Sequence, residues 1–243
     1  MKTALGICLL AGLPLLARAQ ESSAAGVVGI DQLADIGLLR FAHDRALLGN
    51  IRRLALGIHL HEKKFLECPT AATWDKNGRP LLSWRVSVLP FVGQKELYRE
   101  FHLDEPWDSD HNNKLIAKMP AVFAVPGVTK PGNTVTHYRV FHSGGAVFGL
   151  KKGTRLGNLY DDASNTLLII EATNPVTWSK PDDFEFGPDK PLPKFGKLRP
   201  GQCMAVCADG YAVFIKSKAR ELMMRRFIQG DDGQVFDYRE LQP

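Results

Sequence analysis

The side chains best suited to chemistry lie between Asp104 and His111. In this stretch the carboxylates of Asp104, Glu105, Asp108 and Asp110 stand close to the imidazole of His111. A hard cation such as Ca²⁺ takes about six or more oxygen ligands, so this run is a candidate cation site. It lacks the glycine and the ligand order of an EF-hand loop, and helix capping by Asp108 or Ser109 explains most of the acidic residues. If these residues do bind a cation, the protein could be a secreted metal-dependent hydrolase that uses Asp104 to His111. We keep this as the alternative to the non-enzymatic function predicted below.

Other arrangements typical of catalysis are missing from the sequence. It contains no Gly-x-Ser-x-Gly elbow, phosphate loop or dinucleotide fingerprint. His59 and His61 are spaced so that, on a helix, they point about 200° apart and cannot face one ion. Cys203 and Cys207 fall in an apolar strand instead of beside a basic partner that would activate a thiol. We therefore predict no catalytic residue and no cofactor.

The four tryptophans, Trp74, Trp84, Trp107 and Trp178, are candidates for lining a carbohydrate or peptide groove. Trp84 lies on the apolar side of an alternating segment, which favours a place in the core. Trp107 and Trp178 each stand near proline and acidic residues. We expect these two side chains to be the better candidates for a surface contact.

The first twenty residues have the pattern of a secretory signal peptide. Lys2 precedes an apolar stretch from Ala4 to Leu16, and Ala17-Arg18-Ala19 provides the small residues of a cleavage site. The stretch is shorter than the roughly 20 residues of a membrane span, so no stable span is expected after cleavage. We predict a signal peptide over residues 1–19 and a single exported domain over residues 20–243, located in the periplasm, the cell envelope or outside the cell.

The charge of the chain limits its possible partners, and its cysteines limit its possible disulfides. Loss of Lys2 and Arg18 with the signal peptide changes the formal charge from +5 to 5 − 2 = +3. Basic and acidic residues are interleaved along the chain, so a nucleic-acid partner is not expected. One disulfide between Cys68 and either Cys203 or Cys207 is possible in an oxidising compartment, although ordinary buried thiols are the favoured interpretation.

Helical patterns dominate the first half of the chain. Apolar residues recur three or four apart from Asp31 to about Phe65, which predicts a long helix or two in succession. Alternation from Leu82 to Val88 predicts a strand with one buried face. A short helix is expected from Glu96 to Phe101, and another from Asp108 or Ser109 to Met119.

Strand patterns dominate the second half. Segments 134–141 and 166–172 read as strands, and the proline-rich stretch 180–200 as an extended surface loop. Asp209-Gly210 predicts a two-residue hairpin turn between segments 204–208 and 211–216, and a last helix is expected over residues 219–229. The order of elements predicts an α+β fold in which an N-terminal helix packs on an antiparallel sheet, with a short helical insertion and a C-terminal hairpin and helix.

Long blocks of this sequence resemble a family of exported bacterial proteins of unknown function. The first block runs from Asn50 to Pro120 and includes LLSWRVSVLPFVGQKELYREFHLDEPWDSDHNNKLIAKMP. Later blocks are Asp161 to Thr166, Glu171-Ala172 and Trp178 to Asp183. Members of that family usually begin with a type IV pilin-like cleavage and methylation segment, and end with a His, nine residues and Asp-Gly.

The chain departs from the family pattern in two places. An ordinary signal peptide replaces the pilin-like N-terminus, and Arg199 stands where the family has its C-terminal His, nine residues before Asp209-Gly210. Guanidinium stays protonated and does not ligate metals, so the motif formed by Arg199, Asp209 and Gly210, with Ser164, Asn165 and Thr166, is expected to be architectural. The resemblance implies a pilin-like fold. We predict a non-enzymatic, pseudopilin-like binding or assembly module with a protein partner in the cell envelope.

Overall fold

A computed structural model describes residues 30–130, 132–196, 198–234 and 236–243 of the chain. Residues Met1–Arg40 form one compact unit and Phe41–Pro243 another; in the first, only the helical backbone of Ile30 to Arg40 is described. The predicted signal peptide lies outside the described residues. No helix in the described part of the chain is both long and apolar enough to cross a membrane.

Helix α1 (Ile30–Phe65) is continuous, so of the two predicted alternatives the single long helix is confirmed and two helices in succession are not. Its buried side chains recur at intervals of three and four residues, which places them on one face of the helix. Leu66 follows with a φ of 63°, a left-handed conformation that ends the helix. The buried face consists of Leu47, Ile51, Leu54, Ala55 and Ile58.

A small hairpin follows α1, formed by β1 (Ala72–Trp74) and β2 (Pro80–Ser83). The strand predicted over Leu82 to Val88 is therefore wrong beyond Ser83, because α2 (Trp84–Ser87) begins there. The hydroxyl of Ser83 accepts a hydrogen bond from the backbone N–H of Arg85 and caps the new helix. Arg85 is fully buried, so the alternation of polar and apolar residues does not distinguish a solvent-exposed face from a buried one here.

The helical insertion then continues with α3 (Lys95–Glu100), which confirms the helix predicted from Glu96 to Phe101. The next helix is shorter than predicted: α4 spans Asn112–Leu115, and one 3₁₀ turn extends it over Ile116–Lys118. Ser109 remains outside the helix, although its hydroxyl accepts a hydrogen bond from the N–H of Asn112 at 3.1 Å.

The central sheet has four strands in the order β3-β5-β7-β8, and every neighbouring pair is antiparallel. A separate two-stranded parallel pair joins β4 to β6. The predicted α+β class with an antiparallel sheet is confirmed. The bounds are β3 (Val135–Arg139), β4 (Phe141–His142), β5 (Leu167–Thr177), β6 (Phe184–Glu185), β7 (Gln202–Cys207) and β8 (Ala212–Lys216).

Both faces of the sheet are buried, in two separate hydrophobic clusters. Strand β7 shows the division: Met204 and Val206 belong to the cluster that contains the buried face of α1, whereas Cys203, Ala205 and Cys207 belong to the other. Helix α5 (Glu221–Ile228), which confirms the predicted last helix, contributes Met224, Phe227 and Ile228 to the second cluster. The sheet is therefore the shared layer between α1 and α5.

The cysteines follow this division. Cys68 lies in the α1 cluster, on the other side of the sheet from Cys203 and Cys207, and all three are free buried thiols. The alternative of a disulfide to Cys68 is therefore wrong. Burial raises the pKa of each thiol to about 12.

The β7–β8 hairpin forms as predicted, but its turn is longer. Cys207 N–H donates to the Tyr211 carbonyl at 2.9 Å, so the loop contains Ala208, Asp209 and Gly210 instead of two residues. Gly210 has a φ of 89°, the left-handed residue that a three-residue hairpin loop requires. The proline-rich stretch also differs from prediction, because it includes β6 and because the side chain of Asp183 is only 1% exposed.

Candidate functional site

The acidic stretch is a loop organised by Asn112, which is fully buried. The Asn112 amide donates to the carbonyls of His102, Glu105 and Pro106 at 2.9 to 3.2 Å, and its oxygen accepts from the N–H of His102 at 3.0 Å. The stacked rings of His102 and His111 pack on the same loop, with centroids 3.5 Å apart. One buried amide thus fixes the whole turn.

The carboxylates of this loop do not converge on one point. The Glu105 carboxylate forms a hydrogen bond with the His102 ring at 2.8 Å. The pKa of Glu105 is lowered by a hydrogen bond from Ser109 and, to a lesser extent, by His102. Within the described ranges, no group of three or more His, Cys, Asp or Glu side chains is placed to hold a metal ion. Asp104, Glu105, Asp108 and Asp110 are not gathered into such a group in the described part of the chain, and a cation site on this loop stays a prediction.

The two tryptophans expected at the surface lie in different environments. Trp107 is half-buried, with the Lys180 ammonium 5.8 Å from the centre of its ring. Trp178 is fully buried, so the prediction of surface exposure is wrong for this residue. Its indole N–H donates to the carbonyl of Ile116 at 2.9 Å, and its ring stacks on Phe123. Trp178 belongs to the core because both its polar atom and its ring have internal partners.

A buried ion pair between Arg85 and Asp183 is the strongest polar feature that sequence reasoning missed. The guanidinium donates to both oxygens of Asp183, at 2.9 and 3.2 Å, and also to the carbonyl of Tyr138 at 2.7 Å. The side chains are 0% and 1% exposed. Burial lowers the pKa of Arg85, whereas the attraction of Asp183 raises it. Every strong interaction of this pair is internal, so it holds α2, β3 and the segment before β6 together.

The residue types alone did not point to this pair, because Arg85 and Asp183 are far apart in the sequence. Arg139 extends the same cluster, since it donates to Asp182 at 2.9 Å and its guanidinium lies 3.8 Å from the centre of the Phe184 ring.

Arg199, which takes the place of the His expected from the sequence resemblance, binds two carboxylates. It donates to Glu171 at 3.1 Å and to Asp44 of α1 at 3.3 Å. Glu171 is 1% exposed, and its second oxygen accepts from the N–H of Met204. Burial raises the pKa of Glu171, against the opposing effect of Arg199. The residue therefore joins α1 to β5, which is an architectural contact.

The other residues of the predicted architectural motif stabilise turns. Asp209 accepts from the N–H of Tyr211 at 2.8 Å, beside the left-handed Gly210. The Ser164 N–H donates to the side chain of Asp162, and the Thr166 hydroxyl donates to the Asp162 carbonyl. Asn165 accepts from the N–H of Tyr238 at 3.2 Å, which ties this turn to the C-terminal segment.

The outer face of α1 is the most distinctive exposed surface. We define it by the exposed residues of α1 that lie between Asp44 and Phe65, which include no acidic and no neutral polar side chain. Leu56 is 56% exposed and Leu60, one turn further on, 38%. Among the described ion pairs, none uses a cation of this face. The outer face comprises Arg45, Ala46, Gly49, Arg52, Arg53, Leu56, Leu60, Lys63 and Lys64.

Comparison with known proteins gives one family. Residues 49–131 match the model of a family described as "Protein of unknown function (DUF1559)". The match covers the C-terminal part of α1, the β1–β2 hairpin and the helical insertion, and it supports a domain of unknown function in this region. No curated protein and no solved structure matches the chain. The pilin-like N-terminus and the exported location stay predictions.

Proposed function

We propose that the protein is an exported, non-enzymatic module of the cell envelope that binds an acidic protein partner through the outer face of α1. The observation that carries this proposal is the composition of that face, which combines cations with exposed leucines, whereas the carboxylates next to it, Asp44, Glu62 and Glu67, are half-buried. Contiguous apolar residues at a surface are typical of interaction sites. A pseudopilin-like assembly role is what the sequence resemblance implies, although an ordinary signal peptide is predicted in place of the pilin-like N-terminus.

The cations favour a partner of opposite charge. Arg52 and Arg53 precede the exposed leucines by one turn, and Lys63 and Lys64 follow them. Such an arrangement raises the rate of encounter with an acidic surface and disfavours basic partners. The leucines then supply the apolar contact that the charges surround.

Helix-to-helix docking is the contact that the spacing favours. Leu56 and Leu60 are four residues apart and lie on one ridge, as in helical seams flanked by charged positions. Gly49 lies two turns earlier on the same side, and a Cβ built there would have nothing within 4 Å. A glycine costs roughly 1 kcal/mol in a helix relative to alanine, so its place on an open face is explained by the close approach of a partner.

Site-specific photocrosslinking in the cells that produce the protein tests this proposal. A photoreactive residue at Leu56 should give an adduct whose partner peptide is rich in Asp and Glu. The adduct should be lost on Arg52→Glu plus Arg53→Glu substitution and should weaken in high salt. The matched control is Leu222 of α5, which is 57% exposed and should give no such adduct.

Three results would overturn the proposal: no adduct at Leu56, an equal adduct at Leu222, or an adduct formed only with lipid. An adduct with a second copy of the chain would also contradict a separate acidic partner. Purified double variant should keep the circular dichroism of the wild type, because its substituted residues are exposed.

A further inference from the structure

A surface cavity of about 550 Å³ lies between the β1–β2 hairpin and the acidic loop. This volume falls within the roughly 300–1,000 Å³ that is usual for small-molecule sites. The backbone N–H of Trp107 donates to the carbonyl of Leu81 at 2.9 Å, which holds the acidic loop against the hairpin. The cavity is lined by Trp74, Asp75, Lys76, Asn77, Leu81, Leu103 and Asp104.

The Trp74 ring is held in place before any ligand arrives. Its indole N–H donates to the carbonyl of Leu150 at 2.7 Å, and the Lys151 ammonium lies 5.5 Å from the ring centre. Lys151 is not among the residues that line the cavity. Leu103, which is 42% exposed, adds a second apolar wall.

The polar lining groups combine donors with acceptors. One oxygen of Asp75 accepts from the N–H groups of Asn77 and Arg79, both at 2.8 Å, which fixes the carboxylate in its turn. The second oxygen of Asp75 takes no part in these bonds. The amide of Asn77, the ammonium of Lys76 and the carboxylate of Asp104 form no hydrogen bond or ion pair with the side chains that the structure describes.

We infer that this cavity binds a neutral saccharide. A sugar ring has an apolar C–H face, which matches Trp74 and Leu103, and a rim of hydroxyls, which match adjacent acceptors and donors. Phosphorylated or acidic ligands fit poorly, because the lining contains two carboxylates, Asp75 and Asp104, and only one ammonium, Lys76. The inference does not rest on the proposed protein partner, since no residue of the outer face of α1 lines the cavity.

Calorimetric titration of the full chain tests the inference, with a panel of neutral gluco-, galacto-, manno- and N-acetylhexosamine mono- and oligosaccharides as probes. We expect saturable binding of at least one probe, and quenching of tryptophan fluorescence that follows the same isotherm. Asn77→Ala and Asp104→Ala should each weaken binding by about tenfold, since each removes a hydrogen bond to the ligand. Trp74→Phe should weaken it, and Trp74→Ala should abolish it.

Two exposed positions provide matched controls. Asp110→Ala, in the same loop but outside the cavity, and Leu56→Ser, on the outer face of α1, should leave binding unchanged. Asn77 and Asp104 are exposed, so their variants should melt like the wild type even where Trp74→Ala does not. The inference is wrong if no saccharide of the panel binds, if binding survives Trp74→Ala in a folded variant, or if only an acidic peptide or a nucleotide binds.

Discussion

Arg85 and Asp183 illustrate how a buried ion pair specifies a fold. Removing two charges from water costs about as much as their attraction returns, so the pair adds little net stability. Its geometry is more informative: Arg85 also donates to Tyr138 and to the Ser83 hydroxyl, and Asp183 also accepts from the N–H of Val140. Each of these bonds is satisfied only in the native arrangement of α2, β3 and the segment before β6.

Loss of one partner should therefore be costly. Asp183→Ala leaves the guanidinium of Arg85 buried without a counter-charge, and we expect unfolding free energy to fall by about 3–5 kcal/mol. The measurement is urea denaturation followed by circular dichroism. Glu96→Ala is the matched control, because it breaks an exposed ion pair with Arg99. It should lower the free energy of unfolding by only a small fraction of the loss caused by Asp183→Ala.

Replacement of both partners separates charge from packing. Arg85→Met with Asp183→Leu removes both charges, so it should be much less destabilising than Asp183→Ala alone. A double variant as unstable as the single one would show that the hydrogen bonds to Tyr138 and Val140, and not the unpaired charge, dominate the cost.

His137 gives a pH dependence with a defined sign. It is 7% exposed, and burial lowers its pKa below the ordinary 6.5, against the effect of its bond to the Ala172 carbonyl. The unfolded chain therefore binds the proton more readily, so this contribution to stability is complete above pH 6.5 and is lost as the pH falls through and below that value. We expect His137→Asn to reduce the loss of stability between about pH 7 and pH 5, measured by urea denaturation. Parallel pH profiles for the variant and the wild type would contradict this.

Secondary-structure elements differ in how far the sequence predicts them. Helix α1 has a local cause, since its buried face repeats with the helical period over many residues, and the prediction of a helix there is confirmed. The conformation of the segment after Ser83 depends on residues that are distant in the sequence. Arg85 resembles a solvent-facing residue of a strand until Asp183, about a hundred positions later, provides a buried partner. Periodicity cannot reveal such a contact.

Gly49 and Gly57 of α1 provide an element-scale test. Gly49 has open space around it, so Gly49→Ala should stabilise the chain by up to about 1 kcal/mol through helix propensity. A Cβ at Gly57 would lie 2.7 Å from the Cγ1 of Val92, a β-branched side chain with little freedom to move. Gly57→Ala should therefore destabilise it. Thermal melts of the pair test this, and a stabilising Gly57→Ala would show that Val92 gives way easily.

The site residues also differ in how far the sequence predicts their contacts. The oxygen-rich turn at Ser164 and the left-handed turn at Gly210 have local chemistry, and their hydrogen bonds follow from residue type. Trp178 has no local sign of burial, because its partners Ile116 and Phe123 come from the helical insertion far along the chain. The Trp74 cavity likewise joins a hairpin to a loop that only the tertiary fold brings together.

At the scale of the whole molecule, one sheet contributes side chains to two hydrophobic cores. Strand β7 contributes alternate side chains to the clusters that contain α1 and α5, so neither cluster is complete without it. Arg199 adds a polar link between α1 and β5. We infer that residues from Phe41 onward unfold as one cooperative unit, because loss of β7 would expose both clusters at once.

Thiol labelling measures this cooperativity. Cys203 and Cys207 are fully buried in β7, and a pKa of about 12 leaves almost no thiolate at neutral pH, so both should be inert to an aromatic disulfide reagent in the native state. With Cys8, a residue of the predicted signal peptide, replaced by Ser, both thiols should react in mild urea at rates with the same denaturant slope, equal to that of global unfolding. Cys68, in the loop after α1, should react at least as fast because smaller openings expose it. If Cys203 and Cys207 reacted with a shallower slope than global unfolding, the α5 side of the sheet would open separately and the two cores would not form one unit.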